Sequence, residues 1–284
     1  MKAERKFVIF GAGQAGRVAR RLLPPGCEAA AYADNNEKKW GSVYDGLPVV
    51  NPGEIINIDP DEVRIAILNR EAVLDIRVQL ASGVGYNGHV SDLSAYRDEY
   101  DARLATLRLL AEELNAAGVP GCAAELGVYR GEFAAEINRL FPERPLHLFD
   151  TFAGFDERDV REEDSRFSSH SRMNFSDTSA EAVRACLPHS ERAVFHQGYF
   201  PETVPREELS FAFVSLDPDL YLPTYNGLLY FYPRLASGGA IMIHDCFSAQ
   251  FPGVGAAAHK YCREQGLFLT PVCDLHGSAI LRKA

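Results

Sequence analysis

No stretch of this 284-residue chain is apolar for long enough to span a bilayer, and no pair among its six cysteines has C-x-x-C spacing. The first absence excludes a helical membrane protein. The second leaves Cys27, Cys122, Cys186, Cys246, Cys262 and Cys273 as reduced thiols, most of them in apolar segments where cysteine behaves as a small hydrophobe. Basic charge is also in deficit. A net charge of -10 and a pI near 5.3 provide no cationic face for a phosphate backbone, which excludes nucleic acid as a substrate. The first residues, Met1-Lys2-Ala3-Glu4-Arg5-Lys6, lack the apolar stretch and small-residue cleavage site of a signal peptide, so a cytoplasmic location is expected.

What the chain has is strand and helix in alternation, with 46% hydrophobic and 24% charged residues and enough length for two cores. KFVIFGAGQAGRVARRLL joins an apolar strand, a glycine loop and a helix with Val18, Leu22 and Leu23 along one side. CEAAAYADNN, GLPVVNPGEI, VRIAIL and NGHVSDLS follow as β-rich runs bounded by turn residues. From Ser94 to about Ala117 a helical run carries Leu104, Leu107, Leu110 and Leu114 on one face and ends at GVPG. The alternation then restarts with CAAELGV, PLHLFD, RAVFHQG, LSFAFVSLD, GGAIMIHD and SAILR as strands. The expectation is two doubly wound, Rossmann-like α/β domains: residues 1–93, a helical linker over 94–120, and a second sheet over 121–284. The charge-rich stretch from Asp156 to Phe175 has no period and reads either as a solvated loop or as a lid.

In the first half, Gly11, Gly13 and Gly16 permit a tight turn and close approach of a pyrophosphate at a helix N-terminus, and Asp34 stands where a ribose-binding acid would. The alternative is that the glycines let strand and helix pack while Asp34 caps the turn DNN. VIFGAGQAGRVARRLL, YADNNEKKWG and GLPVVNPGEI together resemble the N-terminal nucleotide-sugar-binding domain of sialic acid O-acetyltransferase-type sugar acyltransferases. That resemblance implies a holder of a nucleotide-linked group without redox chemistry.

The second half carries a sharper pattern. AELGVYRGEF sets Glu125 and Gly127 at a strand end and Gly131 at a helix entrance, and the next strand ends on Asp150, placed to accept from two ribose hydroxyls. Asp217 ends one later strand and His244-Asp245 the next; one right-handed crossover puts both ends on the same sheet edge. Asp219 reads as a further acid or as a cap of the following helix.

AELGVYRG, LFDTFAGF, HQGYFPETVP, LDPDLYLPTY, YPRLASGGAIMIHD and FPGVGAAAHKY, in this order over Gly121 to Arg282, resemble the macrocin O-methyltransferase family. The resemblance implies a class I methyltransferase sheet and an S-adenosylmethionine-dependent O-methyltransferase of sugar hydroxyls. It also implies cofactor contacts from Glu125, Gly127, Gly131 and Asp150, and a divalent metal on Asp217 and Asp245. Where relatives have paired aspartates this chain has His244-Asp245, which makes His244 a third ligand, turning preference from magnesium to a transition ion, or a general base. His259 and His196 are the next candidates for the base. A substrate oxygen must be aligned with the sulfonium methyl and lose its proton, by metal assistance or to a base. The acceptor is a small sugar or nucleotide-sugar, and association into homo-oligomers is compatible with the resemblance. Two other readings are a nicotinamide oxidoreductase, for which no Tyr-x-x-x-Lys set is present, and a binding protein with a degenerate methyltransferase domain, against which the acids at 125, 150, 217 and 245 speak.

Overall fold

The computed structural model describes residues 5–93, 101–160, 164 and 175–284, and the chain divides into two compact units, Met1–Asp101 and Ala102–Ala284. In the first, strand β1 (Arg5–Phe10) is buried over its last four residues, as a central parallel strand covered on both faces must be. It lies between β2 (Cys27–Ala33) and β5 (Glu62–Ile65), with β4 (Leu47–Val50) beyond β2 and β6 (His89–Asp92) beyond β5, all parallel. The two-residue β3 (Val43–Tyr44) adds antiparallel to β4. Helix α1 (Gln14–Arg21) follows the glycine loop; the short α2 (Ile55–Ile58) and α3 (Arg70–Val78) complete the unit, whose core joins Val8, Phe10, Ile55, Val63, Ile65 and Ile76.

The second unit begins with α4 (Ala102–Ala116), then β7 (Cys122–Leu126), α5 (Glu132–Leu140), β8 (Leu146–Asp150), α6 (Ala180–Cys186) and β9 (Ala193–Gln197). It continues through β10 (Phe211–Leu216), α7 (Tyr221–Arg234), β11 (Leu235–Ile243), α8 (Pro252–Gln265), β12 (Thr270–Pro271) and β13 (Ala279–Arg282). The strand order is β12-β13-β11-β10-β7-β8-β9. The five strands from β11 to β9 are parallel, and β13 runs antiparallel to both of its neighbours. All six residues of β10 are buried, and apolar layers cover the sheet on both faces. One layer sets Leu228, Phe231 and Tyr261 with Leu216 and Ile243; the other sets Leu107, Leu114 and Ile137 with Leu148 and Phe213. The run expected to link the sheets is thus, over Ala102–Ala116, a helix of the second unit, because its leucine stripe needs a core to cover it.

Register fixes the site edge. Leu126 pairs with Phe149 and with Leu216, and Leu216 pairs with Ile243, so β7, β8, β10 and β11 all finish in one row. Among the described residues no helix is long and apolar enough to cross a membrane. Of the stretch Asp156 to Phe175, residues 161–163 and 165–174 lie outside the described residues, and the lid reading with them.

Candidate active site

The parallel ladder continues one residue past the strands. The Asp217 amide donates to the Leu126 carbonyl at 2.8 Å and the His244 amide to Leu216 at 2.9 Å, which sets these two side chains next to each other. His244 Nδ1 lies 2.8 Å from Asp217 Oδ1 and 3.1 Å from Asp245 Oδ2. Neither contact has hydrogen-bond geometry, so Nδ1 is buried without a hydrogen-bond partner. Asp219 and Asp245 hold left-handed backbone, φ 61° and 52°, a conformation that costs non-glycine residues energy and collects at functional sites. Oxygens of Asp217, Asp219 and Asp245 lie within 4.8 Å of one another, and so do ligand atoms of His244, Asp245 and His276.

Two cations balance these acids. Arg103, from the first turn of α4, reaches Asp217 Oδ2 at 3.1 Å with its guanidinium 3.7 Å from the Phe133 ring centroid, and its Nε is buried without a partner. Burial pushes Asp217 up, but the charges of His244 and Arg103 outweigh it and hold this carboxyl well below the usual carboxylate range. For His244, burial and Arg103 act downward; Asp217 and Asp245 overcome both and bring it to about 10. His244 is therefore an imidazolium at neutral pH. Burial, then Asp217 and Asp245, drives Asp219 upward. His276, whose ring centroid is 4.7 Å from that of His244, is lowered by burial and by the His244 charge.

The neighbouring strand ends supply the rest. Glu125 is 1% exposed, its Oε2 has no partner, and burial raises its carboxyl to about 8. Gly127 has φ 83°, and a Cβ there would stand 2.2 Å from the Asp217 carbonyl oxygen, so the loops after β7 and β10 touch only because this residue is glycine. Gly131 likewise faces Val183 of α6. Asp150 ties down its own surroundings: Oδ2 accepts from the Val128 and Tyr129 amides at 2.6 and 2.9 Å, and Oδ1 from Phe152 at 2.7 Å.

Not every expected residue converges. His196 stacks on Phe149 and sits 2.9 Å from His147 Nδ1, and His259 Nδ1 sits 2.7 Å from the Gly255 carbonyl on α8; neither joins the cluster. The N-terminus of α7 is capped by Asp164, which accepts from the Tyr221 amide at 2.9 Å, leaving Asp219 in the acid cluster. Arg103 and His276 had no signal in the sequence, one lying on an amphipathic helix and the other in a turn. In the first unit, Asp34 accepts from the Ala12 amide at 2.9 Å and pairs with Lys39 at 2.8 Å, while Asn36 N–H donates to its other oxygen. Gly16 is required by packing, since its Cβ would stand 2.0 Å from the Gly11 carbonyl oxygen; nothing lies within 4 Å of a Cβ at Gly13.

A parallel sheet with one antiparallel strand at its β11 side carries an acid-rich edge at its carboxyl ends, and the sequence over it has the pattern of an O-methyltransferase. The chain belongs to the macrocin-O-methyltransferase (TylF) family, whose pattern matches residues 91–281. It is 28% identical over 157 residues to the demethyldecarbamoylnovobiocin O-methyltransferase of Streptomyces niveus, a match covering 50% of this chain and 59% of that protein. It is also 28% identical over 190 residues to the 8-demethyl-8-(2,3-dimethoxy-alpha-L-rhamnosyl)-tetracenomycin-C 4'-O-methyltransferase of Streptomyces olivaceus, covering 63% of this chain and 71% of that one. The solved O-methyltransferase NovP shares the fold with a TM-score of 0.56 at 21% identity, over 76% of this chain and 100% of its own.

Proposed function

We propose that the second unit transfers a methyl group from S-adenosylmethionine to a hydroxyl of a sugar or nucleotide-linked sugar. The observation that carries this reading is the half-buried acid cluster of Asp217, Asp219 and Asp245 beside the unpartnered oxygen of Glu125. A cofactor carrying a sulfonium and an ammonium is what such an edge attracts, and S-adenosylmethionine supplies the electrophilic methyl. Glu125 would take the ammonium; Asp150 fixes the loop of Gly127 and Gly131 against which the adenosine half lies, with one lone pair left for a ribose hydroxyl. Asp217 and Asp245 orient the acceptor hydroxyl. Asp219, its carboxyl raised by burial and by Asp217 and Asp245, is the acid–base candidate of the cluster.

A divalent ion fits the donors present. The carboxylates of Asp217 and Asp245 would hold it, His244 Nδ1 joining them only on loss of its proton, and it would supply Lewis acidity toward the acceptor oxygen. The first unit, in this reading, is a Rossmann-like holder for the nucleotide part of the substrate, with Gly13 leaving the space a phosphate would approach and Gly11, Gly16 and Asp34 shaping the loop. Asp34, which a nicotinamide ribose would require, is occupied by Lys39. The rhamnosyl substrate of the Streptomyces olivaceus relative supports the sugar acceptor, and a cytoplasmic enzyme is the setting. Thermal shift with S-adenosylhomocysteine, UDP-sugars and NAD, run side by side, tests the assignment: the first two should stabilise the protein. Stabilisation by NAD with none from S-adenosylhomocysteine would reverse it.

A further inference from the structure

We infer that Asp177 and Thr178 are positioning residues for cofactor binding, holding Tyr129 in the left-handed backbone that gives the loop over 127–131 its shape. The inference rests on the methyltransferase reading of the second unit and specifies what sets the form of its cofactor loop.

The strain comes first. Tyr129 has φ 49°, a conformation that a residue with a Cβ disfavours and that persists only where the surroundings impose it. Its amide and that of Val128 donate to Asp150 Oδ2 at 2.9 and 2.6 Å, so the backbone of this one residue decides how the loop is seated against the end of β8.

The restraint comes from the segment that leads into α6. Thr178 Oγ1 donates to the Tyr129 carbonyl, and the Tyr129 hydroxyl donates to Asp177 Oδ1 at 2.7 Å. The Arg130 guanidinium takes the other Asp177 oxygen, so one carboxylate grips two successive loop residues. Phe175 meets the Tyr129 ring edge-on at 5.0 Å between centroids, and the Phe155 ring at 5.3 Å. The segment is itself anchored. Ser179 Oγ caps α6 by accepting from the Ala182 amide at 3.1 Å, and a Cβ on Gly131 would stand 2.7 Å from Val183 Cγ1. Helix α6 therefore presents Asp177 and Thr178 to the loop from a fixed frame.

Energetics separate this role from a merely structural one. The Arg130 and Asp177 side chains are 54% and 59% exposed, and an exposed ion pair adds little to folding. Cofactor affinity responds differently, because it falls in proportion to the fraction of molecules whose loop already has the binding shape. A brace on a strained residue thus acts on affinity and leaves the fold nearly untouched.

The test titrates S-adenosylhomocysteine into the full chain by calorimetry, with a thermal scan of each variant alongside. Thr178→Val and Asp177→Ala should each weaken binding about 5- to 10-fold, while the melting temperature moves by less than about 2 °C. Thr178→Ser keeps the hydroxyl and should bind within about twofold of the parent. Parent affinity in both Thr178→Val and Asp177→Ala overturns the inference, and so does Thr178→Ser binding as weakly as Thr178→Val. A loss of affinity that only follows a lowered melting temperature overturns it as well, since a structural role would do the same. The unmodified chain separates the two levels. Binding there with unaffected variants sinks the positioning role alone, whereas no binding there sinks the methyltransferase reading and this inference with it.

Discussion

Replacing Arg103 by Met removes one of the two cations that face Asp217 while keeping an apolar stem over Phe133. The guanidinium is 3.1 Å from Asp217 Oδ2, and the two side chains are 13% and 22% exposed. At an effective dielectric near 20 the gross attraction across that distance is about 5 kcal/mol, and breaking a buried pair by deleting one partner costs roughly 3–5 kcal/mol. Partial exposure puts the expected loss at the low end, about 3 kcal/mol. For a unit the length of Ala102–Ala284 that corresponds to a melting temperature lower by roughly 6–12 °C. The chain's single tryptophan, Trp40, lies in the first unit, so scanning calorimetry is the assay. Asp217→Asn measured with and without Arg103→Met should show a coupling of about 2 kcal/mol. Arg103→Lys should recover only part of the loss, because the ammonium neither forks nor stacks. If Arg103→Met lies within about 0.5 kcal/mol of the parent, or the two changes are additive, the cluster is not held by this charge.

Gly127→Ala should lower the melting temperature by roughly 10 °C or more, since the added methyl meets the Asp217 carbonyl at 2.2 Å and φ is 83°; an unchanged melting curve would contradict the close loop contact. Glu125, with its carboxyl near 8, is protonated at pH 7, so binding a cationic cofactor should release a proton and tighten as pH rises from about 6 to 8. Calorimetry in two buffers of different ionisation enthalpy measures that proton, and Glu125→Gln should abolish its release. His147 is lowered to about 4 by burial and then by His196. A histidine kept neutral in the fold binds its proton first in the unfolded chain, so stability is complete above about pH 6.5 and falls as pH drops toward 4, by roughly 3 kcal/mol in all. His147→Phe should flatten that part of the stability profile in denaturant titrations.

Local periodicity and crossover handedness carried most of the architecture. AELGVYRG announces strand, loop and helix because its glycines answer to backbone geometry within a few residues, and Gly127 indeed holds a positive φ. Asp217, His244 and Asp245 were legible as one site because successive parallel strands joined by right-handed crossovers end on the same edge. The candidate at 196 failed for a related reason, since nothing in a short window says whether a histidine near a strand end turns toward the edge or back into the sheet, and His259 lies within α8 against its own Gly255 carbonyl.

Side-chain partners across elements were out of reach. Arg103 and Arg108 sit on the same amphipathic helix and look alike in sequence. Docking of α4 sends one to Asp217, whereas Arg108 is 57% exposed and 3.9 Å from Glu136. His276 reaches His244 only because β13 returns antiparallel beside β11 and carries the Asp274 turn with it. The sequence by itself determined two α/β runs, the glycine loops and the row of strand-end acids, since each depends on spacing along one chain segment. Tertiary structure alone decided that Asp34 is closed by Lys39, that Asp150 serves backbone amides, and that an arginine and a second imidazole complete the acid cluster. Those contacts join residues separated by a turn, a strand pair or a whole helix, and the free energy that selects them exists only once the sheets are packed.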